Sequence, residues 1–231
     1  MTEKMMPGID GTKDFYWDAN DTGLYGYYKD INTNSGPVGD WFASHKDVIQ
    51  KIPSDRRNTV IQAGGAFGMY PILLSRYFKT VFTFEPDPVN YRILCKNLQH
   101  HEVDNVFESN LALTSEESKN YLALVDGDPS NRGTTRVQTH LSFINNSLAA
   151  TTIDYMFEQS DKKIDLIWLD IEGHEYSALQ GAVKTIRKHN PIIGVERPTN
   201  EVFDFMNRNG YIPWKNSKMD VFFVGTVGRQ I

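Results

Sequence analysis

From Asn58 onward, short apolar runs alternate with amphipathic stretches. "TVIQA" is followed by the turn "GGAFG" and by "MYPILLSRYF", whose apolar positions follow a helical period. "TVFTFE", the turn "PDP" and "VNYRILCKNLQ" repeat the same order, and "NVFESNLAL" reads as a third strand. Asp87 is placed to cap the second of these helices, and Pro88 suits its first turn. Alternation at such short intervals predicts a parallel sheet with helices on both faces.

The middle of the chain changes period. "NYLALVD" and "TRVQTHLSF" alternate with period two on either side of "GDPSNRGT". They predict an antiparallel pair inserted between sheet units, with Arg132 at a solvated hairpin tip. "TTIDYMFEQ" then reads as a short helix and "KIDLIWLDI" as a strongly apolar strand. A helix is expected from about His174 to Arg187, with Leu179, Ala182, Val183 and Ile186 on one face. "PIIGVE" is another strand, "NEVFDFMNRNG" a helix closed by Gly210, and "MDVFFVG" a last apolar strand.

Residues 1–57 differ from the rest. They are rich in Gly, Asp, Asn and aromatic residues and read as loops and turns, until "DWFASHKDVIQKI" forms a helix with Asp40 at its N-cap. This divides the chain into an N-terminal arm or lid, 1–57, and a main domain, 58–231. Trp17, Tyr25, Tyr27, Tyr28 and Trp41 in the arm would either close over a sugar or aryl group or pack against the core.

Composition narrows the function classes. The 231 residues suit one domain of ordinary size, and 40% hydrophobic with 23% charged residues is a globular balance. The formal net charge of −5, with no basic run, gives no electrostatic footprint for nucleic acid. Cys95 alone forms no internal disulfide and excludes thiolate-rich zinc sites; it reads as a small buried apolar residue. No leader-like N-terminus and no membrane-length apolar run is present in the sequence, so a cytoplasmic protein without a membrane partner is expected.

Two places carry chemistry. In "IQAGGAFG" the glycines allow a ligand to approach the backbone at a helix N-terminus. Glu85 ends the next strand, 21 residues after Gly64, where a carboxylate can accept hydrogen bonds from ribose hydroxyls. Ala63 stands where a dinucleotide fingerprint has its first glycine, so the turn fits either a nicotinamide dinucleotide or S-adenosylmethionine. The second place is "IWLDIEGHEYSAL", with Asp170, Glu172, His174 and Glu175 in six residues. Asp170, Glu172 and His174 alternate as cation ligands on a strand face would, but Gly173 breaks the strand, and no metal is expected. Glu175 belongs to the first turn of a helix.

"FEPDP" and "LDIEGHE" resemble the FEPxP and D-V-E-G-x-E elements of the FkbM family of S-adenosylmethionine-dependent methyltransferases, with "NVFESNLALTSE" and "TTIDYMF" in the expected order between them. The resemblance runs from Asn58 to about Gly210. It implies a Rossmann-like class I methyltransferase fold of the α/β class: a mostly parallel seven-stranded sheet, helices on both faces, and an antiparallel last strand. It implies S-adenosylmethionine as cofactor. Gln62, Gly64, Gly65, Ala66 and Gly68 would lie by its amino acid portion, Glu85 by the ribose, and Pro86, Asn110, Leu111 and Ala112 by the adenine. Asp170 would face both the methionine portion and the acceptor. Asp170, Glu172 and His174 are the candidate catalytic residues, and Glu196 is a candidate substrate contact. The expected reaction is methylation of a hydroxyl on a sugar or secondary metabolite, a small-molecule or glycan acceptor. The family usually has an acidic residue where Gln62 stands and asparagine where Ala66 stands. These departures keep a non-catalytic adenosyl-binding module open beside a nicotinamide-dependent oxidoreductase.

Overall fold

The computed structural model describes residues 3–23, 37–117, 122–125, 130–139 and 148–226. Tyr25, Tyr27, Tyr28 and the side chain of Trp41 lie outside the described residues.

A seven-stranded sheet organises the chain. Its strands are β3 (Thr59–Ala63), β4 (Thr80–Phe84), β5 (Val106–Ser109), β10 (Ile164–Leu169), β11 (Ile192–Glu196), β12 (Tyr211–Ser217) and β13 (Asp220–Gly225). The spatial order is β12-β13-β11-β10-β3-β4-β5. The five strands from β11 to β5 are parallel, and β13 runs antiparallel between β11 and β12. The parallel core is what the alternating pattern predicts, and the seven-stranded sheet with an antiparallel last strand is the Rossmann-like arrangement that the resemblance implies. The central strands β3 and β10 are buried along their whole length, so they read as apolar runs without alternation. The one acid inside β10, Asp165, accepts hydrogen bonds from the backbone and side-chain amides of Asn58.

Each face of the sheet has its own core. On one face lie α1 (Pro37–Lys51), α2 (Met69–Leu74) and α3 (Pro88–His100), with Val48, Ile72 and Leu94 packed on Val60, Leu166 and Trp168. On the other lie α4 (Ile153–Phe157), α5 (Glu175–Gln180), α6 (Val183–His189) and α7 (Asn200–Arg208), with Leu179, Ile186 and Met206 on Ile61, Ile167 and Ile193. The N-terminal hairpin of β1 (Glu3–Met6) and β2 (Phe15–Asp18) joins the first core through Phe15 and Trp17. Short pairs complete the chain: β6 (Ala112–Leu113) with β9 (Ala150–Thr151), parallel, and β7 (Leu122–Val125) with β8 (Arg136–Thr139), antiparallel as expected.

Several elements depart from the sequence pattern for identifiable reasons. The helix expected from His174 to Arg187 is two helices, broken at Gly181. A Cβ there would lie 2.0 Å from the Thr114 carbonyl oxygen, so the backbones meet closely. The Gly181 carbonyl accepts from the Asp154 amide, and the Asp154 carboxylate caps α6 at Lys184 and Thr185. The run "NVFESNLAL" divides into β5 and β6, because Ala112 and Leu113 leave the main sheet to pair with Ala150 and Thr151. α1 begins at Pro37, which places Asp40 within the helix rather than at its N-cap position. β12 was not legible as a strand: it is an edge strand that carries Pro213, with a register shift beside it.

Candidate active site

The carboxyl ends of β3, β4, β10 and β11 open into a cleft of about 400 Å³. Two walls line it, one built on the glycine turn and Glu85, the other on Asp170, Glu172 and Glu196.

The first wall is made largely of backbone. The amides of Gly64 and Gly65 both donate to the Phe84 carbonyl at 3.0 Å, which turns the chain sharply at the end of β3. Gly64 has φ +83°, and a Cβ on it would lie 1.8 Å from the Asp170 carbonyl oxygen, so only glycine fits. Gly68, also left-handed, starts α2. Glu85 binds this turn to the next one: Oε2 accepts from the Ala66 amide at 2.7 Å, and Oε1 from the Asp87 amide at 2.9 Å. Asp87 caps α3 through the Val89 and Asn90 amides, as its position predicts. Burial pushes the Glu85 carboxyl up to about 7, against the pull of those amide donors. A carboxylate 6% exposed has unused lone pairs that suit ribose hydroxyls, and the open backbone at Gly64, Gly65 and Ala66 leaves room for an amino acid chain. These residues fit S-adenosylmethionine.

Not every candidate reaches the cleft. Gln62 is buried beneath the turn: Oε1 accepts from the Thr83 hydroxyl at 2.6 Å, and Nε2 donates to the carbonyls of Ala63 and Gly64. Gly68 and Asn110 are also outside the described lining. The Asn110 amide donates to the carbonyls of Glu85 and Pro86, so it holds the strand end in place. Pro86, Leu111 and Ala112 line the cleft.

The second wall is electrostatically different. Asp170 follows β10, and its amide donates to the Ala63 carbonyl, tying the two walls together. Asp170, Glu172 and Glu196 each place a carboxylate oxygen within 4.8 Å of the others. Burial, and then the Glu196 carboxylate hydrogen-bonded to it, hold the Asp170 carboxyl well above the usual range. Glu172 is pushed up by burial and by Glu196, with Arg197 and Arg136 acting against the shift. Arg197 Nη1 is 3.4 Å from Glu196 Oε1. Ala66, Glu172 and Arg197 have φ of 45°, 55° and 42°, so a non-glycine residue in a left-handed conformation follows each of β3, β10 and β11 at the cleft.

His174 lines the same cleft but is absent from the acid cluster. Its Nε2 lies 2.9 Å from the Thr114 hydroxyl, which in turn contacts Ser177 at 3.0 Å, and burial lowers its pKa. Glu175 stays at the helix start, where Oε1 accepts from the amides of Ile171 and Gly173. Arg132 is no solvated tip. It pairs with Asp87 at 3.1 Å and Asp18 at 3.3 Å and lines the cleft, so the β7–β8 hairpin is fastened beside Glu85. Sequence reasoning did not find this latch, because nothing local links Arg132 to Asp18 or Asp87.

The methyltransferase FkbM domain model matches residues 66–213. The chain belongs to the FkbM methyltransferase family. S-Adenosylmethionine is accordingly its cofactor. Comparison with curated proteins finds no match. Among solved structures, the chain is similar to methyltransferase FkbM from Methylobacillus flagellatus KT, with TM-score 0.49 and 17% identity over 73% of this chain and 44% of that one. It is also similar to Trm5b from Pyrococcus abyssi, with TM-score 0.49 and 12% identity over 97% and 56%. TYW2 from M. jannaschii in complex with AdoMet gives TM-score 0.43 and 15% identity over 96% and 84%. The chain spans about half the length of the first two. No helix among the described residues is long and apolar enough to cross a membrane.

Proposed function

We propose that this FkbM-family chain methylates a hydroxyl group on a small-molecule or glycan acceptor, a sugar or secondary metabolite, in the cytoplasm. The observation that carries this reading is the cluster of Asp170, Glu172 and Glu196, with carboxylate oxygens within 4.8 Å of one another, in the same cleft as the glycine turn and Glu85. S-Adenosylmethionine supplies an electrophilic methyl group on a sulfonium centre. The chain's own residues bind, align and manage one proton. Glu85 accepts the ribose hydroxyls, Pro86, Leu111 and Ala112 border the base, and the turn from Gly64 to Ala66 gives the amino acid portion access to backbone.

Burial and the neighbouring Glu196 hold the Asp170 carboxyl well above its usual range, so Asp170 and the acid beside it offer a hydroxyl both a donor and an acceptor. A hydroxyl bound there is oriented by both groups and passes its proton to the pair as its oxygen becomes an ether. In-line displacement needs little more than alignment and exclusion of water. Glu172 sits at the rim, where Arg136 and Arg197 moderate its charge. His174 is a second proton acceptor in reach of the cleft, kept neutral by burial. The net charge of −5 favours a small acceptor over nucleic acid. The test is incubation with labelled S-adenosylmethionine and a panel of sugars, hydroxylated metabolites and RNA. Gain of one methyl on a hydroxyl compound is expected; exclusive labelling of RNA or of an amine would contradict the reading.

A further inference from the structure

Arg132 joins three segments of the chain beside Glu85. It opens the short turn Arg132–Thr134 that leads into β8, and residues 131–137 line the cleft together with Glu85 and Pro86. Its guanidinium meets two carboxylates: Nη1 lies 3.1 Å from Asp87 Oδ2, and Nε lies 3.3 Å from Asp18 Oδ2. Both acid side chains are buried, 5% and 4% exposed. Each spends its other oxygen on its own turn. Asp87 Oδ1 accepts from the amides of Val89 and Asn90, and Asp18 Oδ1 from that of Asn20. The backbone of the same segment is tied to the N-terminal arm. The Arg132 amide donates to Asp21 Oδ2 at 3.1 Å, and the Gly23 amide donates to the Ser130 carbonyl at 2.7 Å. A Cβ on Gly23 would lie 2.5 Å from Asn131 Cβ, so arm and segment are in contact.

A buried carboxylate needs a partner, and removing the cation from such a pair leaves an uncompensated charge. Arginine suits the place because it stays protonated and its planar fork directs donors to two acids at once. The contacts fix the segment from two sides, to the arm through Asp18 and Asp21 and to the start of α3 through Asp87. Asp87 lies two residues after Glu85, and its amide donates to Glu85 Oε1 at 2.9 Å. One side chain therefore braces both the Glu85 turn and the segment that borders the cleft with it. Asp18 and Asp21 are not among the residues that line the cleft, so their influence on it passes through Arg132 and its backbone.

We propose that Arg132 is a positioning residue for the cofactor: it holds residues 131–137 against the Glu85 end of the cleft, and the N-terminal arm, through Asp18 and Asp21, keeps it there. The inference rests on S-adenosylmethionine occupying this cleft. A segment tied to its surroundings at several points opens rarely, and a ligand that it borders leaves more slowly, so the contribution falls on the dissociation rate. Asp18 and Asp21 lie outside residues 66–213, so the clasp joins the family domain to a part of this chain beyond it.

The test is the rate at which labelled S-adenosylhomocysteine is chased from the full chain by unlabelled ligand, with hydrogen exchange followed across residues 131–137. Arg132→Gln is expected to raise the dissociation rate about tenfold, the worth of one charge-assisted hydrogen bond. Arg132→Lys, which keeps the charge, should raise it less. Asp18→Asn, away from the cleft lining, is expected to raise it about threefold. The double variant Arg132→Gln/Asp18→Asn should be no faster than Arg132→Gln, because both substitutions cut the same connection. Bound ligand should slow exchange across residues 131–137 in the wild type and not in Arg132→Gln. If Arg132→Gln does not fold, the rate in Asp18→Asn decides. A clasp that only supports the fold would lower the melting temperature and leave the dissociation rate unchanged. An unchanged rate in these variants, or effects that multiply in the double variant, overturns the inference while leaving the cofactor reading intact. If the wild type does not bind S-adenosylhomocysteine, the cofactor reading falls and this inference with it.

Discussion

The two walls of the cleft are built on opposite physical terms. Around Glu85, the polar groups of the wall have partners: two backbone amides hold its carboxylate, and Asn110 braces the strand end behind it. Around Asp170, three acidic groups crowd together, two left-handed non-glycine residues follow the strands, and burial works against ionisation. A wall whose carboxylate is met by backbone amides is held in one shape and suits a ligand bound the same way each time, although burial opposes its ionisation too. A crowded wall stores unfavourable interaction that an incoming hydroxyl can relieve, and perturbed carboxyls of this kind concentrate where protons move. We propose that the first wall binds the cofactor and the second carries the chemistry, and substitutions should separate them.

The largest effect is expected at the point where the walls touch. Gly64→Ala would drive a Cβ into the Asp170 carbonyl and impose a left-handed φ on alanine. A loss of stability on the order of 3 kcal/mol, together with loss of cofactor binding, should appear in denaturant titration and calorimetry.

Glu85 offers a pH test of the first wall. Its folded pKa of about 7 lies above the ordinary 4.5, so the folded state holds a proton across that window which the unfolded state has released. The associated stability is present below about 4.5 and is lost as pH rises through about 7, to a limit of about 3 kcal/mol. Glu85→Gln should flatten this dependence in the ligand-free protein. In the wild type, affinity for S-adenosylhomocysteine should rise through the same window, as the carboxylate forms.

The second wall should respond in turnover. Asp170→Asn is expected to lower turnover on the order of 10²-fold, while the melting temperature at pH 8 holds or rises, because one of three crowded acids is removed. A falling melting temperature with unchanged turnover would reverse the assignment of the walls. The smallest effect is expected at Glu175→Gln, which weakens two amide contacts in the turn before α5 and should cost about 1 kcal/mol in stability, with turnover nearly unchanged.

Legibility in the sequence followed the range of the interactions. The glycine turn, the strand-end Glu85 and the Asp87 cap are local, and each was readable from a few adjacent residues. The strands β3, β10 and β11 were readable as apolar runs, because strands buried on both faces leave an unbroken signature. Contacts between distant segments left no such trace. Asp154 reaching α6, Arg132 joining Asp18 and Asp87, and His45 meeting Asp220 each depend on how elements dock. Gln62 shows the reverse limit: its position by the turn was readable, but the Thr83 hydroxyl that turns its side chain inward lies on the neighbouring strand.

The central claim is that the Glu85 wall binds S-adenosylmethionine. Calorimetric titration of S-adenosylhomocysteine into the wild type and Glu85→Ala at pH 8 tests it most directly. Binding by the wild type and a loss of about ten- to a hundredfold in the variant are expected, the worth of a charged hydrogen-bond acceptor. No binding by the wild type, or equal affinity in the two proteins, would contradict the account.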